Sequence, residues 1–490
     1  MVNGVTGAPV RNALVSLQPS DQQVETDAAG GFKFSPLEAD TYALGAAKLG
    51  FETADEDYFE LTASREGVVI RLKPLATLRG IVKDSEGEPV EGVTVVALRS
   101  QIGRGWRRSV LAGQATTDDR GYYRIGQLVA GQYVVQAAGF QGLSYQGETV
   151  NKAKAHDAFA PVYFGGAHDA ASATAVPLAP GAEARADFSL TLQPGHRILG
   201  HIANLKPYTR PVVQLLHGQE NLGLNRCTLE LGTGGFRMDD VLDGSYRLRA
   251  FGTGTDGQPQ VAEQDVVVAG NDVEDISMTL GPGITVKGTV RVEGSNAESL
   301  PPEGPEFGMA LESVDSLGDL GVGPFWSNPA VDGGFQIASV LPGRYRVHFR
   351  IAGPRYFSSV RAGNADLLAA PELTLGSGPA ADIEVVLREN GGSIEGTLAP
   401  EVAPAAEVWV LLVPEALNRP PELSPSEGDG FRFAAVAPGS YRLHAWESSA
   451  EVEFHSPEVL RTLAHSGTRV EVRAAAETKI QLQKLSEIPK

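Results

Sequence analysis

Along most of this chain apolar and polar residues alternate, and the alternation breaks at short clusters rich in Gly, Pro and Asp. In GFRMDDVLDGSYRLRAF the apolar or aromatic positions are Phe236 and Met238, then Val241 and Leu242, then Tyr246, Leu248 and Ala250. Period-two alternation on either side of a turn predicts two strands, each with one buried face. The unit recurs five times, as GGFKFSPLEADTYAL, GYYRIGQLVAGQYVV, GGFRMDDVLDGSYRL, GGFQIASVLPGRYRV and DGFRFAAVAPGSYRL. Its aromatic and its tyrosine stand ten residues apart in every copy: Phe32 and Tyr42, Tyr123 and Tyr133, Phe236 and Tyr246, Phe335 and Tyr345, Phe431 and Tyr441.

Gly131, Gly244, Gly343 and Gly439 precede four of these tyrosines by two residues, where a reversal through positive φ is expected, and the first copy has Asp40 there. Tyr42, Tyr133, Tyr246, Tyr345 and Tyr441 are expected in cores, each hydroxyl bonded to nearby backbone as in the tyrosine corner of immunoglobulin-like sandwiches. Other pieces recur around the unit. A strand with a central glycine opens each later copy: LRGIVKD, RILGHIAN, ITVKGTVRV and SIEGTLAP. An alternating strand closes each copy: GVVIRLKP, ADFSLTLQP, DISMTLGP, DIEVVLREN and TKIQLQKL.

Many short strands with Gly, Pro and Asp turns, repeating about every 90 to 110 residues, predict an all-β chain, a tandem array of antiparallel β-sandwiches. Five sandwiches are expected, over residues 1–74, 75–193, 194–282, 283–390 and 391–490. The second carries an inserted hairpin and a long loop. Linkers as short as LKPL, LQPG and LGPG predict a stiff rod of roughly 150 Å, at about 30 Å per sandwich. Helical periodicity is confined to SPEVLRTLAH, where Ser456 is a candidate cap and Pro457 a first-turn residue, and to NADLLAA from Asn364.

Taken together, these motifs resemble the carboxypeptidase regulatory-like domain, a prealbumin-like (transthyretin-like) sandwich of carbohydrate-binding-like fold. The family occurs in tandem in secreted bacterial proteins and beside metallopeptidase domains. The second repeat carries the signature as GIVKDSEGEPVEGVTVVAL and TTDDRGYYRIGQLVAGQYVVQAAG, and the first as VNGVTGAPVRNALVSLQ and ETDAAGGFKFSPLEADTYALGAAKLGF. Repeats three to five keep the Gly-aromatic and Gly-x-Tyr core but lose the Gly-x-Pro-Val turn. The resemblance implies an extracytoplasmic location and a non-catalytic role, and names no ligand. Gly7, Pro9 and Val10 match Gly87, Pro89 and Val90, which places Met1 and Val2 on Ile81 and Val82 and leaves nothing opposite LATLRG. The natural protein is therefore expected to extend upstream, with the rest of the first strand and a signal peptide.

Charge and chemistry narrow the function classes. A net charge of -19 opposes nucleic acid and anionic lipid as partners. No run approaches the length of a transmembrane helix. Cys227, the single cysteine, excludes an intrachain disulfide and reads as a buried strand residue. His217 and Glu220 have zinc-motif spacing and His348 lies downstream, but His217 follows the strand PVVQLL of one sandwich and His348 lies in the strand YRVHFR of another, so no metal or other cofactor is expected. No nucleophile elbow, Walker loop or His-Glu-x-x-His helix is present, so no enzyme activity is expected. The acidic groups Asp55, Glu56 and Asp57, Asp118 and Asp119, and Asn271, Asp272, Glu274 and Asp275 read as turns and solvated edges ahead of calcium sites.

The basic-aromatic cluster IGRGWRRSV is the candidate ligand surface, with Arg104, Trp106, Arg107 and Arg108; an exposed tryptophan between arginines suits a sugar ring or a partner anchor. Its plainer reading is an indole folded onto its own sandwich. Tyr145 and Tyr163, in the long insertion FQGLSYQGETVNKAKAHDAFAPVYFGG, form a second candidate surface. The leading expectation is a non-catalytic extracellular or cell-surface structural or adhesion protein with glycan or protein partners. The alternatives are a carbohydrate- or peptide-binding array, a polymer subunit that self-associates by strand exchange at the edge of the first sandwich, and an accessory portion of a larger metallopeptidase or outer-membrane receptor.

Overall fold

The computed structural model describes residues 1–490 except 104, 139–156, 171, 206–211, 218–219, 222–226, 231–232, 255–258, 295–306, 315–324, 328, 331, 352, 377, 400–407, 448–451, 484 and 488–490. The chain is built of short strands, with one α-helix among the described residues. It divides into two compact units: Met1–Ser100 with Ser109–His196 and Asp240–Leu242, and Gln101–Arg108 with Arg197–Asp239 and Asp243–Lys490.

In the first unit, Gln22–Glu25, Leu14–Gln18, Asp40–Ala47 and Ala54–Leu61 form one sheet, and Val2–Asn3 pairs in parallel with Arg71–Leu72. Val15, Leu17, Tyr42, Leu44 and Leu72 fill the space between. A second sandwich sets Tyr122–Leu128, Ala76–Asp84, Glu183–Arg185 and Phe188–Leu190 against a sheet centred on Thr94–Gly103 and Gly131–Ala138. Leu78, Val82, Val95, Tyr133 and Leu190 lie in its core.

In the second unit the same arrangement returns. Ile284–Glu293, between Gly334–Val340 and Ile383–Arg388, faces Phe307–Ser313 and Gly343–Ile351 over a core of Val286, Met309, Val347 and Val385. Gly392–Leu398, between Gly430–Val436 and Glu477–Leu482, faces Trp409–Pro414 and Gly439–Trp446 over Ile394, Val410, Phe433 and Leu443.

The recurring central glycine has a steric cause. Gly80, Gly288 and Gly396 lie opposite Tyr123, Phe335 and Phe431 in antiparallel register. Each aromatic ring lies in the space a glycine side chain would occupy. A Cβ on Gly80 would stand 2.7 Å from the Tyr123 ring, and one on Gly200 would stand 2.5 Å from the Phe236 ring. Tyr123 also donates its hydroxyl to the Ala186 carbonyl oxygen at 2.6 Å.

The recurring tyrosine makes a corner. All five are buried. Tyr42 donates to the carbonyl oxygen of Glu38 at 3.1 Å, Tyr345 to that of Leu341 at 2.8 Å and Tyr441 to that of Ala437 at 2.7 Å, always four residues back. Tyr133 does the same with Val129. Burial pushes the Tyr441 hydroxyl up to about 12, so it stays a donor at neutral pH.

Three expectations are corrected. The glycine before the tyrosine takes positive φ in only two copies: Gly131 and Gly343 do, at φ 159° and 152°, as expected, and Gly244 and Gly439 do not. At Gly244 a Cβ would stand 3.1 Å from the Tyr246 ring, so the smallest residue leaves room for the ring. The left-handed position falls four residues after the aromatic, on Gln127, Asp240, Ser339 and Ala435 at φ 60°, 61°, 61° and 53°. There the strand bulges, as the register shifts between Ile125 and Leu128 show.

The sheets are also not purely antiparallel, because each closing strand pairs in parallel with its own opening strand. Each sandwich therefore exits at the end opposite its entrance, which suits a tandem chain. Finally, only one of the two helix candidates is helical. Pro457–His465 is a helix with Pro in its first turn, but the Ser456 hydroxyl makes no cap bond. Residues 364–370 form a short strand, Ala365–Asp366, and a turn in which the Asp366 carboxylate accepts the amides of Leu368 and Ala369. That local bonding competes with helix formation.

Candidate functional site

Residues 101–108, the turn joining Thr94–Gly103 to Trp106–Thr116, belong to the second unit, where they meet side chains far away in sequence. Gly105 turns at φ 78°, and a Cβ there would overlap the Phe454 ring. The His455 amide donates to the Gly105 carbonyl oxygen at 3.1 Å. Trp106, half-buried, stacks on the His455 imidazole with centroids 4.2 Å apart and planes 11° apart, and the Arg346 guanidinium carbon lies 4.4 Å from the Trp106 ring centroid. Arg107 pairs with Glu453 at 2.9 Å. Arg108 reaches Glu312 at 2.6 Å, and His348 Nε2 reaches the same carboxylate at 2.7 Å.

The cluster is electrostatically closed. Its hydrogen bond with His348 holds the Glu312 carboxyl below its usual range, with Arg108 assisting. Burial lowers the Arg346 guanidinium, which a π face solvates better than hydrocarbon would. Burial, with His348 and Arg346 nearby, pushes His455 down to about 3, so a neutral imidazole stacks on the indole. The arrangement grips a tryptophan without any acid-base pair aimed at open space.

The other expected site residues are dispersed. Tyr163 is buried on the short strand Val162–Tyr163 in the first unit. Arg104 and Tyr145 lie outside the described residues. Cys227 is half-buried on Cys227–Leu229, less covered than expected, and burial raises its thiol to about 11. His348 is engaged by Glu312. Asp118 is a turn builder: its carboxylate accepts the amides of Arg120 and Tyr122 at 3.0 and 2.8 Å. Asp272 receives the Arg197 amide and guanidinium.

A groove of about 350 Å³ in the second sandwich is lined by Arg79, Arg124, Arg185 and Tyr122. Arg79 pairs with Glu183 and Arg185 with Asp187, and the Arg124 guanidinium donates to the Thr77 hydroxyl.

The fold defines the class: this is an all-β protein of tandem sandwiches. Residues 1–73 and 77–191 match the model of the carboxypeptidase regulatory-like domain, the two segments that carry the full turn signature. No curated protein matches the chain. Among solved structures, it is similar to the minor pilin GBS52 of Streptococcus agalactiae, at 17% identity over 38% of this chain and 86% of that one, with a TM-score of 0.21. It is similar to the RrgB pilus protein of Streptococcus pneumoniae, at 9% identity over 85% of this chain and 98% of that one, with a TM-score of 0.16. It is also similar to (S)-allantoin synthase, at 16% identity over 24% and 42% of the two chains, with a TM-score of 0.16.

Proposed function

We propose that this chain is a non-catalytic structural or adhesion component outside the cell, five sandwiches divided at 1–74, 75–193, 194–282, 283–390 and 391–490. The observation that carries this reading is where the repeated residues go. The aromatic covers a glycine and the tyrosine hydroxyl binds a carbonyl four residues back. The conspicuous residues of each repeat thus build a sandwich, leaving surface contact as the means of action. The net charge of -19 keeps such a surface soluble and away from nucleic acid.

A second reading, carbohydrate or peptide binding through Trp106, requires the indole to give up its contacts with His455 and Arg346. One experiment separates the two. Deleting the gene in the producing cell is expected to reduce attachment or cohesion, and both the native chain and Trp106→Ala are expected to restore it. Restoration by the native chain alone favours the Trp106 surface. Unchanged attachment after deletion, or turnover of a peptide or glycan by the purified chain, overturns the scaffold reading.

A further inference from the structure

The outer face of the second sandwich carries a row of like charges. Arg124 stands directly opposite Arg79 across the antiparallel ladder, and Arg185 directly opposite Arg79 across the parallel one, so three arginines share one register on three neighbouring strands. With strands about 4.8 Å apart the row spans about 10 Å. All three are exposed. Tyr122, two residues from Arg124 on the same face, is 55% exposed, so its ring is open to a ligand, whereas Tyr123 and Ile125 turn into the core.

Folding alone does not call for this row, because like charges directly opposite on a sheet are destabilising. At the same three places the sandwich built on Gly392–Leu398 alternates in sign, with Arg432 opposite Glu395 and Glu395 opposite Lys479. The one built on Ile284–Glu293 sets Lys287 opposite the neutral Gln336. In the second sandwich Glu183 pairs with Arg79 and Asp187 with Arg185, but exposed pairs of this kind hold weakly. Arg124 has no carboxylate partner among the described residues; its guanidinium donates to the Thr77 hydroxyl at 3.1 Å. Asp118, in the same lining, gives its carboxylate to the amides of Arg120 and Tyr122.

The groove of about 350 Å³ that these residues line falls within the size of small-ligand pockets, roughly 300 to 1,000 Å³. It lies on a sheet face whose central strand, Ala76–Asp84, is bonded to neighbours on both sides. An extended peptide captured by backbone pairing has no free strand to join there. What the groove offers is side chains: a cation without a counter-charge, an open aromatic face, and two ion pairs able to give and take hydrogen bonds. The net charge of -19 does not set the sign at this spot, because distant charges are screened beyond about 8 Å in physiological salt.

We propose that this groove binds a saccharide that carries a carboxylate. The carboxylate meets Arg124, whose planar fork of donors matches its two oxygens. The Tyr122 ring lies against the apolar face of the sugar, and the Arg79–Glu183 and Arg185–Asp187 pairs bond its hydroxyls. The site is separate from the Trp106 cluster, and the inference stands whether or not the chain is a surface scaffold.

The test titrates the purified full chain, in physiological salt, with oligosaccharides of galacturonate and of glucuronate, with the same oligomers after esterification of their carboxylates, and with an oligoglutamate peptide. Saturable binding of a uronate oligomer is expected, weakened about tenfold or more by esterification, by Arg124→Gln and by Tyr122→Ala, and unchanged by Arg432→Gln at the matching place of another sandwich. Both Arg124 and Tyr122 are exposed, so neither substitution removes a core contact. Equal binding of the ester, unweakened binding by either the Arg124→Gln or the Tyr122→Ala chain, or equal binding of oligoglutamate overturns the proposal. So does failure of both uronate oligomers to bind, which would leave the arginine row a solvated face.

Discussion

Gly288→Ala is expected to destabilise its sandwich by about 3 kcal/mol, the range of a severe overpacking change. A Cβ at Gly288 would overlap the Phe335 ring and stand 2.6 Å from the Ile383 carbonyl oxygen. Neither neighbour can yield readily. Phe335 is buried among core side chains, and the Ile383 oxygen belongs to the parallel strand paired directly with Gly288. Gly376→Ala is the matched control, because a Cβ there meets nothing within 4 Å and its φ is ordinary; a change within about 0.5 kcal/mol is expected. Trimming the ring with Phe335→Leu in the Gly288→Ala background is expected to recover part of the loss, since residues in contact do not add independently. Denaturant midpoints read all three, and equal midpoints for Gly288→Ala and Gly376→Ala would contradict the steric account.

Acidification from pH 6.5 toward 3 is expected to loosen the Trp106 cluster, at about 1.4 kcal/mol per pH unit on the steepest part of the curve. His455 titrates near 6.5 when unfolded but is pushed down to about 3 in the folded cluster. Below 6.5 the unfolded state therefore binds the extra proton. The stabilisation is full above 6.5 and is lost as pH falls through that window. Glu312, whose folded carboxyl lies below its ordinary 4.5, adds a loss of the same sign at the acid end. His348, Arg346, Arg107, Arg108 and Glu453 are the other charged or titratable groups of the cluster. His455→Phe keeps an aromatic stack without titration and is expected to flatten the dependence between 6.5 and about 5. An unchanged pH profile in that variant would remove His455 from this role.

The fold was legible because its signals are local. The spacing from Phe335 to Tyr345, the alternation in YRVHFR and the Gly-x-Tyr pairs each lie within one hairpin, and a single strand period sets them. What failed was also local but needed geometry. The glycine before the tyrosine suggests positive φ, which Gly131 and Gly343 adopt and Gly244 and Gly439 do not, while the bulge adds a positive φ at Ser339 and Ala435, residues with no preference for it. At Gly244 the glycine makes room for the Tyr246 ring two residues away. The role of Gly288 was out of reach for another reason: its partner Phe335 lies across the sheet, and register is not written in either strand alone.

The Trp106 cluster was only half readable. The turn sequence marked itself as basic and aromatic, but Glu312, Arg346, His348, Glu453 and His455 come from strands and a loop more than 200 residues away, each unremarkable in its own segment. The plainer expectation for Trp106, an indole folded onto its own sandwich, missed its surroundings as an exposed platform would have, because the indole lies against His455 and Arg346. Asp118 is the reverse case, since an acidic pair in a turn is explained by the amides it accepts.

The central claim is that this chain works outside the cell as a scaffold whose repeated residues serve the fold. External protease applied to intact producing cells, followed by detection of the full chain, tests it most directly. The expected result is cleavage of the chain while a cytoplasmic marker stays whole; full protection of the chain until the cells are lysed would contradict it.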